Sequence, residues 1–155
     1  MKKILFFLFL IPNLVLSATI ATCENPEGHA YFPYAGMSPK DMAGWDKDKI
    51  SNGKTQLDII DGKFDIKFLD AYKMMISAKE DGGDVFLYSI SEKEIGVVVM
   101  YLGKAVEAYS FIKENDGKLI YTMVQSKANI FIPKASVMKG TCSYIDFDLA
   151  LKQLK

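Results

Sequence analysis

From Lys54 to Ser126, apolar and polar residues alternate in short runs, each closed by a few residues of turn chemistry. That is the pattern of consecutive strands folding back on one another. Phe64, Ile66 and Phe68 alternate with Asp65 and Lys67, which places three large side chains on one face and charges on the other. The preceding Asp61-Gly62 is a two-residue hairpin signal. The same reading predicts strands over residues 55–60, 72–79, 85–90, 96–102, 105–113 and 119–126. A last strand opens at Ile130, is broken or confined to an edge at Pro133, resumes over 135–138 and is ended by Gly140. Residues 85–90 and 96–102 are apolar nearly throughout, so both of their faces are expected to be covered. In 105–113, Glu107, Tyr109 and Phe111 share one face while Val106, Ala108 and Ser110 share the other.

The flanks read differently. Between Cys23 and Gly53 the residues Pro26, Gly28, Pro33, Gly36, Pro39 and Gly44 break any sustained period, which predicts an irregular segment. One or two helical turns are expected after Ser38-Pro39, stopping at Gly44. Tyr31, Phe32, Tyr34 and Trp45 give this segment an apolar load, so it is expected to cover one end or edge of the sheet. Phe147, Leu151 and Leu154 stand at helical spacing, with Ser143 and Asp146 resembling a capping pair, and predict a short C-terminal helix. The fold class is therefore mainly β: about eight antiparallel strands in a meander, forming either an up-and-down barrel or a strongly bent sheet.

Composition adds a compartment. Met1-Lys2-Lys3, the apolar run from Ile4 to Leu16 and the small residues Ser17, Ala18 and Ala21 are the three parts of a secretory signal peptide. The expected division is a leader over 1–21, cleaved between Ser17 and Ala21, and a single β domain over 22–155. No later run approaches the roughly 20 apolar residues of a membrane span. Cys23 and Cys142 are the two cysteines, and an even count in an exported chain predicts one disulfide closing a loop of about 120 residues. The competing reading, a lipid on Cys23, has only the loose match Ile20-Ala21-Thr22-Cys23 behind it and strands Cys142 as an odd thiol. A periplasmic or secreted location follows from either.

Charge and motif content exclude more than they assign. The formal charge is zero, and all nineteen basic residues are lysines. With no basic block and no arginine fork, nucleic acid is not an expected partner. His29 is the only histidine and has no partner located for it, so a catalytic triad is not predicted. One histidine and two paired cysteines are too few for zinc. Asp46-x-Asp48 opens like a calcium loop, but Ile50, Ser51 and Leu57 stand where ligands and the obligatory glycine belong. Asp81 and Asp84 around Gly82-Gly83 read as turn formers. No catalytic residue, metal or cofactor is assigned on this basis.

Two features remain. Glu107, between Val106 and Ala108, reads as a salt-bridged, exposed acid, with a buried carboxylate of raised pKa as the alternative; the latter would suit a small carboxylate-dependent hydrolase. Tyr88, Tyr101, Tyr109, Tyr121, Met100 and Met123 recur along the central strands, and a curled sheet would present some of them to a cavity for a small apolar ligand. Their plainer reading is core packing. The leading functional expectation is a non-enzymatic exported module binding such a ligand or a protein partner; the alternative is a structural or inhibitory envelope protein acting through loops or a sheet edge. The stretch from Cys23-Glu24-Asn25-Pro26-Glu27-Gly28 to Trp45 resembles the start of small exported bacterial proteins. In strand count and length the chain resembles the lipocalin-like barrels, although Ala43-Gly44-Trp45 does not reproduce their Gly-x-Trp. That resemblance implies an architecture and no ligand.

Overall fold

A computed structural model describes residues 17–69 and 73–153. Residues 1–16 of the leader predicted over 1–21, the Tyr72 start of the predicted 72–79 strand and Leu154 of the predicted helix lie outside the described residues. The chain forms β1 (Ser17–Phe32), a 3₁₀ turn at Lys40–Met42, β2 (Gly44–Lys49), β3 (Lys54–Ile60), β4 (Lys63–Leu69), β5 (Met75–Ser77), β6 (Asp84–Ile90), β7 (Glu94–Tyr101), β8 (Ala105–Lys113), β9 (Leu119–Lys127), β10 (Lys134–Ile145) and α1 (Phe147–Lys152). All pairings are antiparallel, in the order β5-β4-β3-β1-β10-β9-β8-β7-β6, with β2 added to β1. The sheet curls into a half-barrel, and its margins approach where β4 and β6 come into contact. The mainly β, strongly bent sheet with a short terminal helix is thus observed.

Several segments differ from the sequence reading. Residues 44–49, within the stretch read as irregular, form β2, and the strand read over 72–79 is only Met75–Ser77, with a turn following at residues 78–82. Residues 23–32 are not irregular: β1 runs straight through them, flanked by β10 on one side and by β3, then β2, on the other. The punctuating residues serve the change of neighbour. The register against β10 shifts between Glu24 and Glu27, Asn25 takes φ 53°, and Pro26, which has no N–H to offer, sits in the bulge. The last strand does not begin at Ile130 or end at Gly140. It starts after Pro133 and runs through Gly140 and Cys142 to Ile145. Gly140 is a close approach rather than a stop: a Cβ there would lie 2.3 Å from the Tyr121 ring and 2.6 Å from the Glu24 carbonyl oxygen.

The inward face of the curl is the core. Ile20, Leu57, Ile66, Ile95, Val97, Val99 and Phe111 are wholly buried there. α1 closes one end of the half-barrel. It touches both β1 and β7, which are well separated in the strand order, and buries Phe147 and Ala150. Its cap is Asp146 alone, accepting from the Leu149 N–H at 2.8 Å, while the Asp146 N–H donates to the Ile20 carbonyl. Ser143 instead donates to the Thr22 carbonyl. Cys23 and Cys142 are register partners on β1 and β10 and are disulfide-bonded. On the outer face Asp65 is buried rather than solvated: Ser77, brought over by β5, donates to it at 2.5 Å, and Lys67 bridges the opposite Asp58 at 2.7 Å.

Candidate functional site

Along the axis of the half-barrel the inward rows change chemistry. Nearest α1, Ile95, Phe111 and Tyr121 follow one another across β7, β8 and β9. The next row is Val97, Tyr109, Met123 and Met138, and the next is Val99, Glu107, Gln125 and Ser136. The last, at the end away from α1, is Tyr101, Ala105, Lys127 and Lys134. Apolar floor thus gives way to a polar tier and then to a basic rim.

Above the floor lies a cavity of about 320 Å³ open at this mouth. Phe68, Leu69, Met123 and Ile130 supply apolar wall, and Tyr101, Tyr109 and Tyr121 supply rings with hydroxyls. Lys54, Lys104, Lys127 and Asp81 stand among its lining residues. Four of the six aromatic and methionine positions singled out in the sequence, Tyr101, Tyr109, Tyr121 and Met123, line it. Tyr88 and Met100 do not. Alternation along β7 turns Val97, Val99 and Tyr101 inward and Met100 outward, where it is exposed. Tyr88 lies across the outer face: its ring covers Gly96, whose added Cβ would meet it at 2.5 Å, and its hydroxyl is 2.8 Å from the Ser110 hydroxyl.

Glu107 is buried, contrary to the exposed reading, although its ion pair exists in loose form, with Lys127 Nζ 3.9 Å away. The Tyr109 hydroxyl donates to Glu107 Oε2 at 2.6 Å, and Gln125 Nε2 donates to Oε1. Both donors arrive by register: Gln125 is directly opposite Glu107, and Tyr109 is the next inward residue on the same strand. Burial and then the Glu107 charge hold the Tyr109 phenol well above its ordinary range, so it stays a donor. Burial, then Glu107, raises Tyr101 likewise, and burial raises Tyr121, whose oxygen accepts from Thr55 Oγ1 at 3.3 Å. The tier is therefore a fixed carboxylate held by neutral donors, able to accept a hydrogen bond from a molecule above it.

Gln125 is the residue the sequence reading missed. Its signal was there, two strands of matched alternation around a short turn, but register across Asn115-Asp116-Gly117 had to be known before it could be placed opposite Glu107. His29 lies exposed on β1, between Val137 and Lys47. Asp48 of the failed calcium match bridges Lys134 at 2.5 Å. Among the described residues no group of three or more His, Cys, Asp or Glu is placed to hold a metal ion, and no helix is long and apolar enough to cross a membrane. Comparison with family models, with curated proteins and with solved structures finds no match for the chain.

Proposed function

We propose that this chain is an exported, non-enzymatic binding protein that takes a small, mainly apolar molecule with one hydrogen-bonding group into the mouth of the half-barrel. The observation that carries the reading is the cavity itself: about 320 Å³, apolar in its walls, with the Glu107–Gln125–Tyr109 cluster as its polar tier. That volume and that mixture of broad apolar wall with a few fixed polar groups are typical of small-molecule sites. Export is supported by the leader and by the Cys23–Cys142 bridge, which persists in an oxidising compartment.

The test uses the oxidised mature protein and the probe N-phenyl-1-naphthylamine, whose emission rises in apolar surroundings. Saturable enhancement is expected, and Met123→Trp, which fills the cavity from its wall, should weaken it by at least about tenfold, the equivalent of roughly 1.4 kcal/mol. Circular dichroism checks that the variant keeps its sheet. No enhancement with the wild type, or enhancement that Met123→Trp leaves intact, overturns the reading.

A further inference from the structure

The two ends of the half-barrel carry opposite surfaces. At the α1 end the strands are joined by Asp61-Gly62, by Ser91-Glu92-Lys93 and by Glu114 to Lys118, all short and polar. At the mouth end the connections present large apolar side chains to solvent. Leu102 at the β7–β8 turn is 94% exposed, Phe131 in the β9–β10 loop 80%, Trp45 at the start of β2 72% and Met37 in the β1–β2 loop 70%. Tyr34 and Met42 on the same loop are almost as open.

The connections that carry these side chains are tied together. The Met37 N–H donates to the Phe131 carbonyl at 2.8 Å, which ties the β1–β2 loop to the β9–β10 loop. The Ala128 N–H donates to the Lys104 carbonyl and the Asn129 amide to that of Gly103, which ties the β9–β10 loop to the Leu102 turn. Trp45 meets Tyr31 edge to face, with ring centroids 5.5 Å apart.

The outer face of the sheet continues the trend. In the row nearest the tip, Met100, Val106, Ser126, Ala135, Tyr31 and Trp45 are successive neighbours, with Asp84 beside Met100 at the margin. The next row is Phe86, Val98, Ala108, Val124 and Val137, and it ends in His29 and Lys47. The third carries Ser110, Thr122, Lys139 and Glu27, with the Tyr88 ring over Gly96 at its β7 end. From β7 to β10 the outer face is thus apolar in the two rows nearer the mouth and more polar in the third.

We propose that the mouth end docks on a lipid bilayer, with the tip residues Leu102, Phe131, Trp45 and Met37 seated in the headgroup and upper acyl region. Scattered exposed apolar residues are ordinary, but the four most exposed large apolar side chains among the described residues, Leu102, Phe131, Trp45 and Met37, all stand at one end, and such a concentration marks an interaction surface. The shape selects lipid over protein. These side chains project from separate loops, and a protein partner would need a matching pocket for each, whereas lipid conforms to whatever is inserted.

The residue types agree, because Trp and Tyr favour the membrane interface. So does the rim: Lys54, Lys104 and Lys127 line the mouth at the level where lipid phosphates would lie, against Asp81 and the already engaged Glu107. Glu24, Asp41, Asp46, Glu80 and Asp84 are further acids of this end, so the attraction is chiefly apolar and anionic lipid adds modestly to it. Seated this way, the cavity opens toward the bilayer, although the docking rests on the loops and stands apart from what fills the cavity.

Trp45 is the single tryptophan, so it reports its own insertion. The oxidised mature protein is mixed with vesicles of phosphatidylcholine alone and of phosphatidylcholine with phosphatidylglycerol, and flotation and Trp45 emission are read together. The expected result is flotation with both, a blue shift, and quenching by lipids brominated high on the acyl chain. The double variant L102S/F131S should lower the partition coefficient by about 100-fold, two large side chains no longer leaving water, while N-phenyl-1-naphthylamine binding without vesicles is unchanged. No flotation with either vesicle, flotation that the double variant retains, or a Trp45 shift seen only when a protein partner is added overturns the proposal. Quenching in the wild type decides the question even if the variant folds poorly.

Discussion

At the scale of single residues, the Tyr109–Glu107 pair is where burial and charge meet most directly. A phenol buried against a carboxylate resists ionisation, and its raised folded pKa has a definite consequence for stability. Below about pH 10, the value for an unfolded tyrosine, both states hold the proton and the contribution to stability is fully present. Above it the unfolded chain releases the proton while the folded one keeps it, so stability falls as pH rises toward the folded pKa. Urea midpoints measured between pH 8 and pH 11 should therefore drop for the wild type and drop less steeply for Tyr109→Phe. At pH 8 the variant should be less stable by about 1–2 kcal/mol, because Glu107 loses a donor in a buried place. Parallel curves for the two proteins would show that Tyr109 does not hold its proton through folding. The alternation in 105–113 already put Glu107 and Tyr109 on one face. It could not say that this face was the inner one, because Val106 and Ala108 made the other look equally fit. The same ambiguity misplaced Met100 and Tyr88: in a run such as Val97-Val98-Val99-Met100-Tyr101 hydrophobicity marks the strand and not the side, and the outer side here is apolar as well.

At the scale of elements, the hairpin β3–β4 and those from β6 to β9 were readable because each is closed by local turn chemistry, Asp61-Gly62 and Asn115-Asp116-Gly117 among them, whereas β5 and β6, consecutive in sequence, stand at opposite ends of the strand order. β1 was not. Its proline and glycines are the marks of a bulge and of close strand crossings, and in a single sequence these look the same as a loop. The strand also bears on the leader. It begins at Ser17, Ile20 and Ala21 are wholly buried, and Ala18 and Ala21 pair with Ile59 and Leu57 of β3. Cleavage after Ala21 would strip that ladder and the carbonyl that receives the Asp146 N–H, and removing the buried Ile20 side chain alone would cost about 2–3 kcal/mol. Cleavage after Ser17 leaves the ladder from Ala18 onward. If the proposed leader is removed on export, intact-mass measurement and N-terminal sequencing should accordingly give Ala18 as the first residue. A mature chain starting at Thr22 would mean that β1 is shorter in the protein that reaches its destination, and that α1 closes the half-barrel without its β1 contact.

At the scale of the whole molecule, the fold is held by a pairing that no local rule reaches. β1 and β10 stand side by side in the middle of the strand order although they bracket nearly the entire domain in sequence, so the two flanks of the sheet, β3 to β5 and β9 to β6, are joined by strand pairing only through them. The cysteines were the one sign of this in the sequence. Cys23 and Cys142, 119 positions apart, are register partners on those strands, and their bond locks the central pair that has the greatest loop entropy to overcome. A loop of that length should contribute about 5 kcal/mol by restricting the unfolded chain. Stabilities of single domains run from about 5 to 15 kcal/mol, so the reduced protein should be marginal. Replacing both cysteines by serine, or adding dithiothreitol, should lower the urea midpoint accordingly. It should also raise the m-value, since an uncrosslinked unfolded chain exposes more surface. The two readouts separate causes. A lowered midpoint with an unchanged m-value would place the effect in the folded state, as would follow if the serines packed badly between β1 and β10. An unchanged midpoint would mean that the ladder between the two strands suffices without the bridge, and that the half-barrel owes its closure to packing of α1 and the inward rows alone.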